Sequence, residues 1–530
     1  MELHGKHVIA NTSTASGSQM FKAVDPAEGQ EIEPAFTKVT EAEIDRAMQA
    51  AKEAFESYRR RTGEDRAVFL EAIANRIMDL GDDLIKRGQR ETALPEGRLV
   101  AERGRTVNQL RLFATVAREG SWVNARIDIA DPQRKPLAKP DTRLMLIPLG
   151  PVVVFSASNF PLAFSVAGGD TASALAAGNP VVVKAHWAHP GVSELVARAV
   201  QQAAEQTGMP DGVFSMLQGR GHEIGAALAK HPATTAIGFT GSLRGGRALF
   251  DVAAARPVPI PVYAEMGSIN PVFVLTGALQ QRSDKIAEGL VGSVTMGVGQ
   301  FCTNPGLVIG QAGSALDALI DKASQLIEQA LPGSMLYQGL SQAYEEGITR
   351  LSESDSVDIV ARTLQGADGA KTQGAPHVLR TNAASFLNDS QLAQEVFGPS
   401  TMFVVADHRQ EMEQVARSLE GQLTATLHGT DEDLADYGDL VAILENRVGR
   451  IVYNGFPTGV EVCSSMNHGG PYPATTDVHF TSVGSDAILR FARPICYQGF
   501  PQASLPPQLR DRNELNIWRM VNESFTQQDY

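Results

Sequence analysis

The sequence predicts an α/β protein organised around a doubly wound parallel sheet, and three observations predict it. Short Val-rich runs bounded by Pro, "PVVVF" ending at Phe155 and "PVVVK" ending at Lys184, flank an Ala-rich helical run, as buried parallel strands do. The same strand and helix rhythm repeats through "GVSELVARAVQQAAEQTG", "GVFSMLQG", "GHEIGAALAKHP" and "TTAIGFTGSLRGGRALFDVAA". A chain of 530 residues also exceeds what one core fills, so about two to three domains are expected.

Along the chain, the first twenty residues carry no apolar core of signal-peptide length and no Arg-rich amphipathic pattern. From Glu41 to about Val116, apolar residues recur at spacings of three and four, which predicts amphipathic helices. "SWVNARIDIADPQRKPLAKPDTRLMLIPLG" has alternating stretches broken by Pro and predicts a protruding hairpin. A second α/β region follows "PVYAEMGSINPVFVL" and runs through "RIVYNG". Beyond about Pro473 the text turns Pro-rich and polar, and it is expected to pack against a neighbouring domain or subunit.

Composition narrows the function classes. The chain is 43% hydrophobic and 20% charged with a formal net charge of -14, which argues against a nucleic-acid surface or a polybasic membrane anchor. Anionic metabolites still fit a locally cationic site. Cys302, Cys463 and Cys496 lie far apart, form no C-x-x-C pair and are odd in number, so neither a disulfide nor a zinc framework is expected. With no stretch of about 18 apolar residues either, a cytoplasmic protein without a bound metal is the expectation.

Five stretches carry candidate chemistry, and each admits a plain structural reading beside a chemical one. In "SVTMGVGQFCTNPGLV", Cys302 is either a small buried thiol beside a turn or a nucleophile where backbone N–H groups are left free. In "VVVFSASNFPLAF", Asn159 follows a strand end, either for its tolerance of turn conformations or to aim an amide into a cleft at the carboxyl end of the sheet. Lys184 ends the strand of "NPVVVKAHWAHP", either solvated or donating to a ribose or phosphate. Gly241, Ser242 and Gly246 in "TTAIGFTGSLRGG" sit where helix N–H groups would meet a pyrophosphate, although the stretch is not G-x-G-x-x-G. Glu265 ends a strand in the apolar text of "VYAEMGSINP"; it is either a salt-bridged structural carboxylate or a general base whose pKa desolvation raises.

Taken in order, Asn159, Lys184, the "FTGS" turn, Glu265, Cys302 and "QEVFGPS" with Glu395 resemble the aldehyde dehydrogenase superfamily over nearly the whole chain. The nucleophile pattern of that family, Gly-Gln-x-Cys, stands here as Gly299, Gln300, Phe301 and Cys302, followed by Thr303 and Asn304; its glutamate motif stands as Glu265, Gly267 and Pro271. Ser268 and Ile269 depart from the Gly-Lys common at that place. The resemblance implies a Rossmann-type cofactor domain over 1–120 and 150–272 and an α/β catalytic domain over 273–472. It also implies a small β oligomerisation domain from 121–149 and 473–530, in a homodimer or homotetramer.

It further implies NAD(P)-dependent oxidation of a small aldehyde to an acid. Cys302 would attack the carbonyl carbon, Asn159 and the Cys302 N–H would hold the oxyanion, and Glu265 would activate the water that opens the resulting thioester. By the same likeness Phe155, Ser156, Ala157, Ser158, Lys184, His186, Arg220, Gly241, Ser242, Gly246, Glu395 and Phe397 would bind the cofactor. Many NAD-preferring relatives place a Glu three residues after the strand-end Lys, where it grips a ribose 2′-OH; Trp187 stands there in this chain. With Arg220 and His222 near the expected adenosine end, NADP is the expected cofactor, NAD being possible. The likeness is closest to the branch of 2-oxoglutarate semialdehyde (2,5-dioxopentanoate) dehydrogenases and NADP-linked bacterial enzymes, carried by "QFCTNPGLV", "SASNFPLAFS" and "NHGGPYPATTD". Phe160, Phe164, Phe301, Thr303 and Phe456 are the candidate substrate residues. The rivals are a broad aliphatic aldehyde dehydrogenase, an acylating coenzyme A-dependent relative, which commonly lacks the deacylating glutamate, and a catalytically silent binding protein.

Overall fold

A computed structural model describes residues 2–530 and places them in two seven-stranded sheets, a five-stranded sheet and the helices that cover them. The first sheet runs in the spatial order Val262–Glu265, Ala236–Thr240, Val152–Phe155, Val181–Lys184, Phe214–Leu217, His7–Ile9 and Thr12–Thr14. Its first five strands are parallel, and the order reverses between Val152–Phe155 and Ala236–Thr240. That reversal is where the loops of a doubly wound sheet part to leave a crevice. The register aligns Phe155 with Lys184 and Thr240 with Glu265, so four chain positions singled out by sequence end on one edge.

Alternation along the strands explains how both faces are covered. Val152 and Val154 pack with Leu110, Phe113 and Val196, under the helices Gly63–Asp79, Glu96–Glu119 and Pro190–Gln206. Val153 and Phe155 face the other way, onto Ile44, Met48, Ile224 and Leu249. The helix Glu41–Tyr58 starts at a capping box in which Thr40 Oγ1 accepts from Glu43 N, and Thr40 N donates to Glu43 Oε2.

The second sheet is ordered Asp358–Arg362, His377–Asn382, Ser400–Ala406, Leu307–Gln311, Val272–Val274, Gln422–His428 and Val448–Tyr453. Only Asp358–Arg362 pairs antiparallel to its neighbour. In the five-stranded sheet the expected hairpin is present, with Arg126–Asp128 antiparallel to Thr142–Pro148. Ala492–Gln498 pairs on one side of it, and Arg519–Val521 and Ser524–Thr526 on the other.

Two regions differ from the sequence reading. The first forty residues, given no elements, hold the two edge strands of the first sheet and a hairpin of Met20–Asp25 with Gln30–Thr37. These strands run three to eight residues, mostly too short for a period to show. Beyond Pro473 the chain does pack on its neighbours, but first on the large sheets: Ala487, Ile488 and Phe491 enter the first core before Ala492 joins the small sheet. Among the described residues, no helix is long and apolar enough to cross a membrane.

Candidate active site

A cavity of about 790 Å³ opens over the aligned strand ends and runs from Arg220 and Trp187 to Cys302. That is the size range of a cofactor or ligand cleft. Asn159, Glu265 and Cys302 all line it, as do Phe155, Ser156, Ala157, Ser158, Lys184, His186, Arg220, Gly241, Ser242, Glu395 and Phe397. Gly246 is not itself in the lining, although Gly245 beside it is, and a Cβ there would strike Met266 at 2.7 Å.

The cleft has a cationic, aromatic end. The Arg220 guanidinium stacks 4.3 Å from the Trp187 ring, which meets Tyr337 edge-on with centroids 5.0 Å apart. Burial pushes the Lys184 ammonium down to about 8, with Glu223 pulling the other way. Next along, the helix Leu243–Ala254 starts on Ser242, whose Oγ accepts from Gly245 N at 3.2 Å. A Cβ on Gly241 would lie 2.7 Å from the Phe239 ring, so glycine is what lets this turn close onto the cleft. An aimed helix N-terminus beside a cationic shelf is the donor set that a dinucleotide pyrophosphate requires.

At the other end stands Cys302, on a loop of unusual backbone. Gly297, Val298 and Gly299 have φ of 56°, 59° and 65°, so a β-branched residue sits in the left-handed region between two glycines. The loop is tied from several sides. Gln300 donates to Gly297 O and accepts from Leu336 N, so its side chain secures the turn. The buried Asn270 donates its amide to the carbonyl oxygens of Cys302 and Asn304, each at 2.9 Å. Asn159 donates to Gln300 O at 3.1 Å, which holds its amide beside the Cys302 loop. The Asn159 turn is in turn held by the buried Glu102, whose Oε1 accepts from Leu162 N and Ala163 N. Ser268, where the sequence departs from Gly-Lys, bonds Gln422 and Asn270 and so knits the Glu265 loop to the second sheet.

Glu265 is buried, and its environment corrects the expectation of a raised pKa. Burial pushes it up, but the His468 ring and the Ser482 hydroxyl, which donates to Oε2 at 2.7 Å, hold the carboxyl below its usual range. Cys302 is shifted the other way: burial and the neighbouring Glu265 charge push the thiol well up, and Arg105 only partly opposes them. Glu395, accepting from Ser268 N, is pushed up to about 7 by burial.

Three of the proposed substrate residues meet. Phe160 lies edge-on to Phe164 and to Phe301, with centroids 5.2 and 5.4 Å apart, and Arg98 covers Phe160 at 4.4 Å. Thr303 is buried in the adjacent loop. Phe456 does not join them; its ring packs on His428 and over Gly289, beside the helix Thr276–Thr295.

Two residues at the site were not singled out by sequence. His468 places Nε2 3.4 Å from Cys302 Sγ and 3.0 Å from Glu265 Oε1, so that Cys302, Glu265 and His468 each bring one ligand-capable atom within 4.8 Å of the others. Arg105 reaches the same region beside Phe164, donating to Val460 O while its buried Nε makes no hydrogen bond. The first lies within the quoted stretch "NHGGPYPATTD", but nothing local ties 468 to 302. Arg105 lay in a helix read only as amphipathic.

A half-buried cysteine beside a buried carboxylate, both lining a cleft built on a doubly wound sheet, is an arrangement suited to chemistry through a thiol. The chain belongs to the aldehyde dehydrogenase family, whose model matches residues 12–473. It is 50% identical over 523 residues to "Alpha-ketoglutaric semialdehyde dehydrogenase 2" of Azospirillum brasilense, covering 98% of this chain and 99% of that one. It is 44% identical over 527 residues to "Alpha-ketoglutaric semialdehyde dehydrogenase" of Acinetobacter baylyi, covering 99% of both. Among solved structures, the NADP complex of NADP-dependent glyceraldehyde-3-phosphate dehydrogenase from Bacillus halodurans superposes with a TM-score of 0.78 at 22% identity, over 94% of this chain and 99% of that one. At that identity the likeness is one of fold.

Proposed function

We propose that the protein oxidises 2-oxoglutarate semialdehyde to 2-oxoglutarate with NADP as the preferred cofactor. The observation that carries this reading is the 50% and 44% identity, over nearly the full length, to two relatives named for that semialdehyde, joined to a site holding Cys302, Asn159 and Glu265. When bound, the nicotinamide supplies the hydride acceptor. The chain's own residues do the rest. Cys302 Sγ attacks the aldehyde carbon, while the Asn159 amide and the Cys302 N–H receive the oxyanion. Once the thioester has formed, Glu265 takes a proton from the attacking water. The carboxylate favours hydrolysis over transfer to coenzyme A. A reduced Cys302 is required throughout, so a reducing, cytoplasmic setting belongs to the same reading. The small sheet supports a homodimer or homotetramer, because its outer strand Ala492–Gln498 leaves one edge open and largely exposed.

Substrate choice rests on Arg105. Its free Nε, on the aromatic side of Cys302, suits the carboxylate of a short 2-oxo acid. An aldehyde panel with 2,5-dioxopentanoate, glutarate semialdehyde and butanal tests the reading, and equal kcat/KM for all three would leave the broad aliphatic reading standing. Arg105→Leu is expected to raise KM for 2,5-dioxopentanoate about 10–100-fold, the worth of one charged hydrogen-bonded contact, with butanal nearly unaffected.

Cofactor preference rests on the Arg220 and Trp187 pair, which offers a cation and no carboxylate to a 2′-phosphate. Arg220→Ala is expected to lower kcat/KM with NADP about tenfold or more and with NAD by much less. A wild-type enzyme that strongly prefers NAD would overturn this part.

A further inference from the structure

His468 lies on the stretch that crosses back over Glu265, where Met266 N donates to Ala474 O and Ser482 Oγ bonds both Glu265 Oε2 and His468 O. Its side chain is buried at 1% exposure, and its backbone N donates to Thr481 Oγ1 at 2.8 Å. The ring is therefore fixed, with Nε2 in hydrogen-bond alignment with Cys302 Sγ and 3.0 Å from Glu265 Oε1. Both Nδ1 of His468 and Oε1 of Glu265 are buried without a hydrogen-bond partner.

Those two orphan atoms indicate where the protons sit. A doubly protonated ring would bury a bare Nδ1–H, which costs more than a single proton at Nε2 leaves unmade. Glu265 Oε1, 3.0 Å from His468 Nε2 but in no aligned hydrogen bond, keeps a lone pair free to take one proton.

We propose that His468 is a fourth catalytic residue, a neutral imidazole whose Nε2–H, aligned on Cys302 Sγ, donates to the sulfur once it carries the negative charge. As Cys302 becomes the nucleophile, its S–H bond breaks and an O–H bond forms at Glu265 Oε1. The charge moves from oxygen to sulfur, where the Nε2–H already aligned with Sγ at 3.4 Å meets it. No proton leaves the three residues during this step, and the ring never has to ionise; Glu265 passes the proton to solvent before it serves as base for the thioester. This rests on the reading of Cys302 as nucleophile, and it assigns the residue that stabilises it.

The surroundings show why such a donor is needed. The charged or titratable groups facing Cys302 are Glu265, His468, Glu395, Arg105 and Arg450, from five separate segments. Two of these are carboxylates that disfavour the thiolate, and burial disfavours it further. Among the described residues, the side-chain nitrogen in hydrogen-bond alignment with the sulfur is His468 Nε2.

Alkylation by iodoacetamide, with Cys302 labelling followed by mass, reads this without aldehyde or cofactor, so it stands or fails apart from the substrate reading. His468→Phe keeps an aromatic ring and removes the donor. It is expected to slow alkylation at pH 7 by about 10–100-fold and to move its pH midpoint upward. His468→Gln, which returns an N–H at nearly the same reach, is expected to stay within about fivefold of wild type. A wild-type rate and midpoint in His468→Phe, or a His468→Gln rate more than fivefold below wild type, overturns the proposal. Should His468→Phe not fold, His468→Gln decides alone by the same limit.

Discussion

Cys302→Ala is expected to lower kcat by roughly 10⁴-fold or more, because removing a covalent nucleophile removes the whole route. The check is formation of reduced cofactor from 2,5-dioxopentanoate, beside a cofactor-binding measurement that should be unchanged. Activity surviving this change would end the covalent scheme. The pH dependence has a definite sign. The thiol is pushed up by burial and by Glu265, so at neutral pH it is mostly protonated. Alkylation of Cys302 in the wild type should therefore keep rising with pH through and beyond the ordinary thiol range of about 8.5. A plateau below that range would show that the surrounding cations win.

Glu265→Gln is expected to separate the two halves of the reaction. The amide cannot take a proton from water, so steady-state turnover should fall by about 10²–10⁴-fold. The first turnover, slowed by loss of the proton acceptor near sulfur, should still complete. One equivalent of reduced cofactor per site would then accumulate, with an acyl adduct on Cys302 visible by mass. Linear turnover at the wild-type rate, with no adduct, would show that water is activated elsewhere. Ser482 and His468 hold the carboxylate in place, and a Gln side chain can keep the Ser482 contact through its oxygen, so the loop should retain its shape.

Much of this was legible in the residues because it is local. Val-rich runs alternate faces, and Phe155, Lys184, Thr240 and Glu265 stand at strand ends that parallel pairing brings level. The order of Asn159, Glu265 and Cys302 pointed to one reaction. The parts that escaped are those made by folding. His468 meets Cys302 across 166 positions of chain, and no spacing rule reaches that far. The pKa of Glu265 was read from its apolar neighbours in sequence, whereas Ser482 and His468, which reverse it, arrive from a distant loop. Phe456 was grouped with the other phenylalanines by type, and the chain's path put it on Gly289 instead. The N-terminal strands add to the edge of a finished sheet and borrow their pairing from it.

Gly299 touches the loop that carries Glu395 and Phe397. A Cβ there would lie 2.2 Å from the carbonyl carbon of Gly398, and Asn304 bonds the Gly398 oxygen at 3.2 Å. The Cys302 loop and this loop are thus in backbone contact, with no side chain between them to act as a cushion. Anything that settles on Glu395 and Phe397 leans directly on the frame that aims the sulfur.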